Sequence, residues 1–172
     1  VLSQRNLLED ARSIADWHNI DRNTRMMCVL PIHHVNGTVV TLITPFYAGG
    51  STVLNQKFRT RRYFQLIAEE EVHIVSMVPT LLQFLNNYYE DRDRLKTPTL
   101  RHVICGAGPL TVKVAETFED RLGVPIIHGY GLSETTCYSC FVPVGLDDAE
   151  HKKWISDYGY PSIGVPIPAN EM

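Results

Sequence analysis

Residues 101–128 read Arg101-His-Val-Ile-Cys-Gly-Ala-Gly-Pro-Leu-Thr-Val-Lys-Val-Ala-Glu-Thr-Phe-Glu-Asp-Arg-Leu-Gly-Val-Pro-Ile-Ile-His128, one complete strand–helix–strand unit. The run 101–105 is short, apolar and β-branched, as a buried strand should be. Gly106, Gly108 and Pro109 then break it. A helix is expected over 111–122, with Val114, Ala115, Phe118 and Leu122 forming its apolar stripe and Gly123 ending it. The run 125–128 supplies the next strand.

The same alternation extends in both directions. Short apolar runs at 26–30, 51–54, 73–77 and 138–143 predict further strands. Most show no strict alternation, so both faces of the sheet should be covered. A helix over 3–19 carries Leu7, Leu8, Ala11, Ile14, Ala15 and Trp17, with Ser3 as its N-cap. A second, over 60–70 and capped by Thr60, carries Tyr63, Phe64, Ile67 and Ala68. A third runs over 79–89, with Pro79 in the first turn and Leu81, Leu82, Leu85 and Tyr88 as its stripe. Residues 36–48 are apolar nearly all round and predict a buried helix that Pro45 kinks or ends. There is no internal repeat. The order implies an α/β fold, three layers α/β/α around a mainly parallel sheet. Function is then sought in the loops beyond the carboxyl ends of the strands.

Composition narrows the class. Of 172 residues, 44% are hydrophobic and 20% charged, enough for a core and far from disorder. Net charge is −3 and basic residues never run beyond adjacent pairs, which argues against a nucleic-acid partner. Four cysteines do not make a disulfide scaffold. Cys28 and Cys105 sit in apolar runs. Cys137 and Cys140 form a lone C-x-x-C, either a redox pair or two unlinked thiols of a reducing, cytoplasmic compartment. The most apolar stretch, 39–48, is interrupted by Thr41, Thr44 and Pro45 and is too short to span a bilayer. Both ends read as cut from something longer, so 1–172 is expected to be one subdomain of a larger domain.

Four loops carry unusual chemistry. Leu30-Pro-Ile-His-His-Val-Asn-Gly37 places His33 and His34 at a strand exit. Alternation on extended chain would point only one of them into a shared site. Cys105-Gly-Ala-Gly-Pro-Leu110 would let a ligand lie against the backbone, or would simply be a turn. His128-Gly-Tyr-Gly-Leu-Ser-Glu-Thr-Thr136 sets Tyr130 between Gly129 and Gly131, which suits stacking on a flat base. Ser133, Thr135 and Thr136 add hydroxyls, and a helix opening near Ser133 would favour an anion. Glu134 beside a phosphate needs a bridging Mg²⁺; otherwise it is a first-turn carboxylate favoured by the helix dipole. The fourth loop, 159–168, is dense in Gly and Pro and reads as a rigid loop or linker.

Together these loops resemble the adenylate-forming enzymes, and among them the AMP-forming fatty acyl-CoA ligases. The matching segments are His34-Val-Asn-Gly37, Gly106-Ala-Gly-Pro-Leu110, Tyr130-Gly-Leu-Ser-Glu-Thr135 and Ser162-Ile-Gly-Val-Pro166, in the family's order. The resemblance implies ATP, Mg²⁺ and CoA, with acyl-AMP formed first and a thioester second. It implies that Gly106, Ala107, Gly108 and Pro109 line the adenine slot beside Gly129, that Tyr130 stacks on the base, and that Ser133 contacts the α-phosphate. Glu134 would hold Mg²⁺. His34 would place the carboxylate, and Gly131 and Leu132 would line the acyl pocket with it. His34, Ser133 and Glu134 would form the catalytic group.

The family's glycine-rich phosphate loop, its later Thr-Gly-Asp motif and its small C-terminal domain have no match here. The chain alone is therefore expected to be inactive, and surfaces that meet the other subdomains could drive self-association. Competing readings are an adenylation domain for another acceptor, a serine hydrolase, a Rossmann domain and a plain nucleotide-binding module. The hydrolase lacks a G-x-S-x-G elbow, and the Rossmann fingerprint fails where Glu134 replaces its third glycine.

Overall fold

The computed structural model describes residues 1–89 and 97–170. The expected parallel strands form: β1 (Arg25–Cys28), β2 (Ser51–Leu54), β3 (Ile74–Met77), β4 (His102–Cys105) and β5 (Ile126–Tyr130). Two short strands, β6 (Cys140–Phe141) and β7 (Val165–Pro166), complete the sheet in the order β2-β1-β3-β4-β5-β6-β7. Strands β1 to β5 pair parallel, while β6 and β7 pair antiparallel.

Each central strand sends neighbouring residues to opposite faces, the period-2 geometry of extended chain. Met27, Val75, Val103 and Ile126 meet the core under α3 (Tyr63–Glu69), α4 (Pro79–Tyr88) and α5 (Val112–Leu122). Met26, Ile74, Ile104 and Ile127 meet the other core, with Ile14 and Ala15 of α1 (Gln4–His18) and with Val39 and Val40. Continuous apolar runs therefore did mean two covered faces. Ser3 caps α1 as expected, its hydroxyl accepting from the Asn6 N–H. Gly123 closes α5 in the left-handed conformation. Thr60 does not cap α3; it opens a 3₁₀ turn, Thr60–Arg62, that leads into it.

The buried segment after β1 is helical but wider than expected. Asn36–Ile43 is a π-helix and passes directly into α2 (Thr44–Tyr47). Pro45 explains both the width and the survival of the helix. In an α-helix the Thr41 carbonyl would need the N–H that Pro45 lacks. Here the Thr52 hydroxyl of β2 donates to that carbonyl at 2.6 Å instead. The Thr44 N–H reaches back to Val39, a π-type bond. Pro45 thus shifts the register rather than ending the helix.

Three elements depart from the sequence reading. Only Cys140–Phe141 of the expected strand 138–143 is paired, and antiparallel. The 159–168 loop contributes β7, so it is part of the sheet. A sixth helix, α6 (Asp148–Ser156), has a polar sequence with one buried residue, Ile155, and no apolar stripe to announce it. Its signal was the Asp147 cap, whose side chain accepts from the Glu150 N–H.

Candidate functional site

Adjacent pairing of β4 and β5, with Cys105 opposite His128, brings the loops that leave both strands side by side. A cavity of about 380 Å³ opens there, at the carboxyl end of the sheet. His34, Ala107, Gly131, Leu132 and Ser133 all line it. Three of the four sequence loops thus meet at one hollow. The fourth is tied in from behind, where His128 Nδ1 lies 2.8 Å from the Ser162 carbonyl.

The glycines do different work from what the sequence suggested. Gly106 is buried, and a Cβ there would come within 2.5 Å of the Tyr138 hydroxyl and 2.7 Å of the Gly129 carbonyl. It makes room for protein rather than for a ligand. Gly131 is equally constrained, since a Cβ would lie 1.6 Å from the Cys137 carbonyl. Gly129 packs under the Phe141 ring. The exposed part of the 106–109 loop is Ala107, Gly108 and Pro109, of which Ala107 lines the cavity. Ala107 adopts φ 59, a left-handed conformation that non-glycine residues rarely hold.

Residues 133–135 form one 3₁₀ turn, not the opening of a longer helix. The longer helix N-terminus expected to favour an anion is therefore not formed at 133–135. Ser133 and Glu134 are both exposed on this turn. No salt bridge or hydrogen bond among the described residues engages the Glu134 carboxylate. Thr135 is not free for a ligand: its hydroxyl holds the turn closed through the Leu132 N–H and carbonyl. Thr136 follows at φ 79, strained for a β-branched residue, and turns the chain into β6. Tyr130 ends β5 with 41% of its surface exposed.

His33 and His34 do not divide between core and solvent. The 31–34 segment is a turn closed by the His34 N–H on the Pro31 carbonyl, so both imidazoles are exposed, 5.1 Å apart. His34 alone of the two lines the cavity. No hydrogen bond joins Ser133 to an imidazole among the described residues, and the nucleophile–base contact of a serine hydrolase is missing there.

Sequence reasoning missed a buried polar triad under the site. Asn36 Nδ2 donates to the Tyr138 hydroxyl at 3.1 Å, and the Ser76 hydroxyl donates to Asn36 Oδ1 at 2.6 Å. All three side chains are buried. They come from the π-helix, β3 and the segment before β6, so only the folded sheet unites them. Beneath the same segment Asp10 of α1 is buried, one carboxylate oxygen unpartnered, and burial pushes its carboxyl up to about 7 against the opposing pull of the Tyr138 backbone. Cys137 and Cys140 are buried and form no disulfide, and burial raises both thiols, Cys137 the more so beside Asp10. That is the opposite of a reactive thiolate pair.

No group of three or more His, Cys, Asp or Glu among the described residues could hold a metal on its own. A lone exposed carboxylate at the lip of a cleft does fit Mg²⁺ carried in with a polyphosphate, which takes one or two carboxylates and completes its shell with phosphate oxygens. No helix among the described residues is long and apolar enough to cross a membrane.

Fold and cleft define a doubly wound α/β protein with a cavity where its strands end. The chain belongs to the AMP-binding enzyme family, which matches residues 1–172. It is 29% identical over 162 residues to sulfoacetate–CoA ligase of Cupriavidus necator, covering 94% of this chain and 30% of that protein. It is 30% identical over 131 residues to luciferin 4-monooxygenase of Luciola mingrelica, covering 76% of this chain and 24% of that protein. ATP-bound MatB from Rhodopseudomonas palustris superposes with a TM-score of 0.82 at 23% identity, over 97% of this chain and 30% of that one. The chain thus spans less than a third of the curated relatives it matches. The likeness to adenylate-forming enzymes read from four loops holds along the whole sequence.

Proposed function

We propose that this chain is the central subdomain of an AMP-forming acid–thiol ligase, supplying part of its ATP site and much of its acid pocket. The observation that carries this is the convergence of His34, Ala107, Gly131, Leu132 and Ser133 on one cavity at the carboxyl end of the sheet, with Glu134 next in the chain. Related CoA ligases support the reading.

A carboxylate oxygen attacks the α-phosphorus of ATP, the P–O bond to pyrophosphate breaks, and acyl-AMP results. The thiol sulfur of CoA then attacks the acyl carbon, the C–O bond to AMP breaks, and the thiol proton passes to solvent. Two anions must first meet, so the catalytic demand is positioning and charge cancellation. Mg²⁺, held by Glu134, would neutralise phosphate charge. Ser133 donates its hydroxyl to the α-phosphate. Tyr130 offers its exposed ring to the adenine, against the backbone of 107–109. His34, at the cavity mouth, orients the incoming carboxylate, while Gly131 and Leu132 wall the acyl group.

Acid-dependent ATP–pyrophosphate exchange by the full-length polypeptide that carries this chain tests the assignment. Exchange should require both an acid and Mg²⁺. Its absence across small aliphatic, aromatic and fatty acids would overturn the reading. Residues 1–172 alone should show none.

A further inference from the structure

The ligase reading leaves the acid open, and the inner end of the cavity bears on it. Resting on that reading, we infer that the acid is a short monocarboxylate with an apolar tail, and that Tyr138 sets the size limit.

The cavity runs from Ser133 and Ala107 at the nucleotide side to Tyr138 and Asn36 at its inner end. Its volume, about 380 Å³, is at the small end for a small-molecule site. Part of that space must hold the carboxylate and phosphate. A long fatty chain extends for about 15 Å, half the hydrocarbon thickness of a bilayer, and here it would run into Tyr138. The Tyr138 ring is 2% exposed and lies 4.4 Å from the Phe141 ring, which belongs to the same core as Ile14 and Ile127. Ile14, Ile127 and Phe141 are all buried in that core behind the ring.

Nor can Tyr138 swing aside at low cost. Its hydroxyl accepts from Asn36, whose other amide atom accepts from Ser76. Rotation would strand a buried amide without its partner. The Gly106 backbone stands against the same hydroxyl. The gate is therefore fixed, and it is fixed by groups that spend their hydrogen bonds on one another.

The lining of the cavity points to the apolar tail. The inner wall offers Leu30, Val35, Val78 and Cys137 beside the Tyr138 ring. No Lys or Arg is among the described residues that line it. A second anionic group at the far end of the acid, as in malonate, would be desolvated without a counter-charge.

The test uses the full-length ligase and ATP–pyrophosphate exchange with propionate, butyrate, benzoate, malonate, decanoate and palmitate. Wild-type kcat/KM should peak among propionate, butyrate and benzoate, with palmitate and malonate each at least about tenfold lower. Tyr138→Ala should raise the decanoate-to-butyrate ratio about tenfold or more. Tyr138→Phe keeps the ring but loses its bond to Asn36, and should raise that ratio less than Tyr138→Ala does. A wild-type preference for palmitate or malonate overturns the inference while leaving the ligase reading intact, as does an unmoved ratio in Tyr138→Ala. No exchange with any acid overturns both. The wild-type ranking decides the size limit by itself if the alanine variant fails to fold.

Discussion

The two ends of the sheet carry hollows of opposite character. At the amino ends of β4 and β5 lies the larger, about 530 Å³, lined by Arg101, Glu116, Glu119, Asp120, His151 and Lys152 among others. At the carboxyl ends lies the smaller one, almost without charge. Size and charge would favour the first as the site of chemistry. Several of its polar groups, however, are engaged in holding the fold together. Glu119 accepts from the Ile126 N–H at 2.7 Å and lies 2.8 Å from His151. Arg101 reaches the Asn19 carbonyl and the Thr24 hydroxyl. His18 and His102 face each other at 3.0 Å, both held neutral by burial. Positive φ at Asn19 and Gly123 there only closes two helices. At the carboxyl end, Ala107 holds positive φ with no helix to close, and Thr136 closes only the single 3₁₀ turn of 133–135. Strained loop backbone, rather than volume, sets the end proposed for chemistry apart from the end that ties helices to the sheet.

The sharpest way to break this contrast is at Glu134. Glu134→Ala in the full-length ligase should cut ATP–pyrophosphate exchange by about 10²-fold or more at unchanged folding, as judged by circular dichroism. Exchange within a few-fold of wild type would remove the metal role and, with it, much of the distinction between the two ends.

Asp10 gives a smaller effect, read as stability. An acid whose folded pKa is raised contributes stability that is complete below its unfolded value and drains away as pH climbs through the folded one. For Asp10 that window runs from 3.8 to about 7. Wild type should therefore lose about 2 kcal/mol between pH 5 and 7.5 through this group, and Asp10→Asn should not. Denaturant midpoints at the two pH values measure it. Parallel losses in both proteins would show that the carboxylate is ionised against an unseen partner.

The smallest effect belongs to the amino end. His151→Ala should leave exchange within about twofold of wild type and cost about 1 kcal/mol of stability. A large loss of exchange would move the chemistry to the larger hollow and undo the comparison.

Much of this architecture could be read in advance because burial on both faces leaves unbroken apolar runs such as 101–105, and because caps such as Ser3 and Gly123 act locally. The loops of the site could be located because they follow those runs. What stayed hidden was long-range or polar. Nothing near Pro45 reveals that Thr52 will take the Thr41 carbonyl. Asn36, Ser76 and Tyr138 are ordinary residues until the sheet joins them. Ala107 and Thr136 adopt conformations usually flagged by glycine, without being glycine. Helix α6 has one buried side chain and so no stripe. The gap between Gly106 as ligand cradle and Gly106 as clearance for Tyr138 has the same origin, since the reason for a small residue lies in its neighbour.

The bond from Thr52 to Thr41 has a mechanical consequence. Thr52 stands on the outermost strand, yet its bond secures the pitch of a coil whose first residue, Asn36, braces Tyr138 in the cavity wall. The outer rim of the molecule thus acts as a distant buttress for the shape of that hollow.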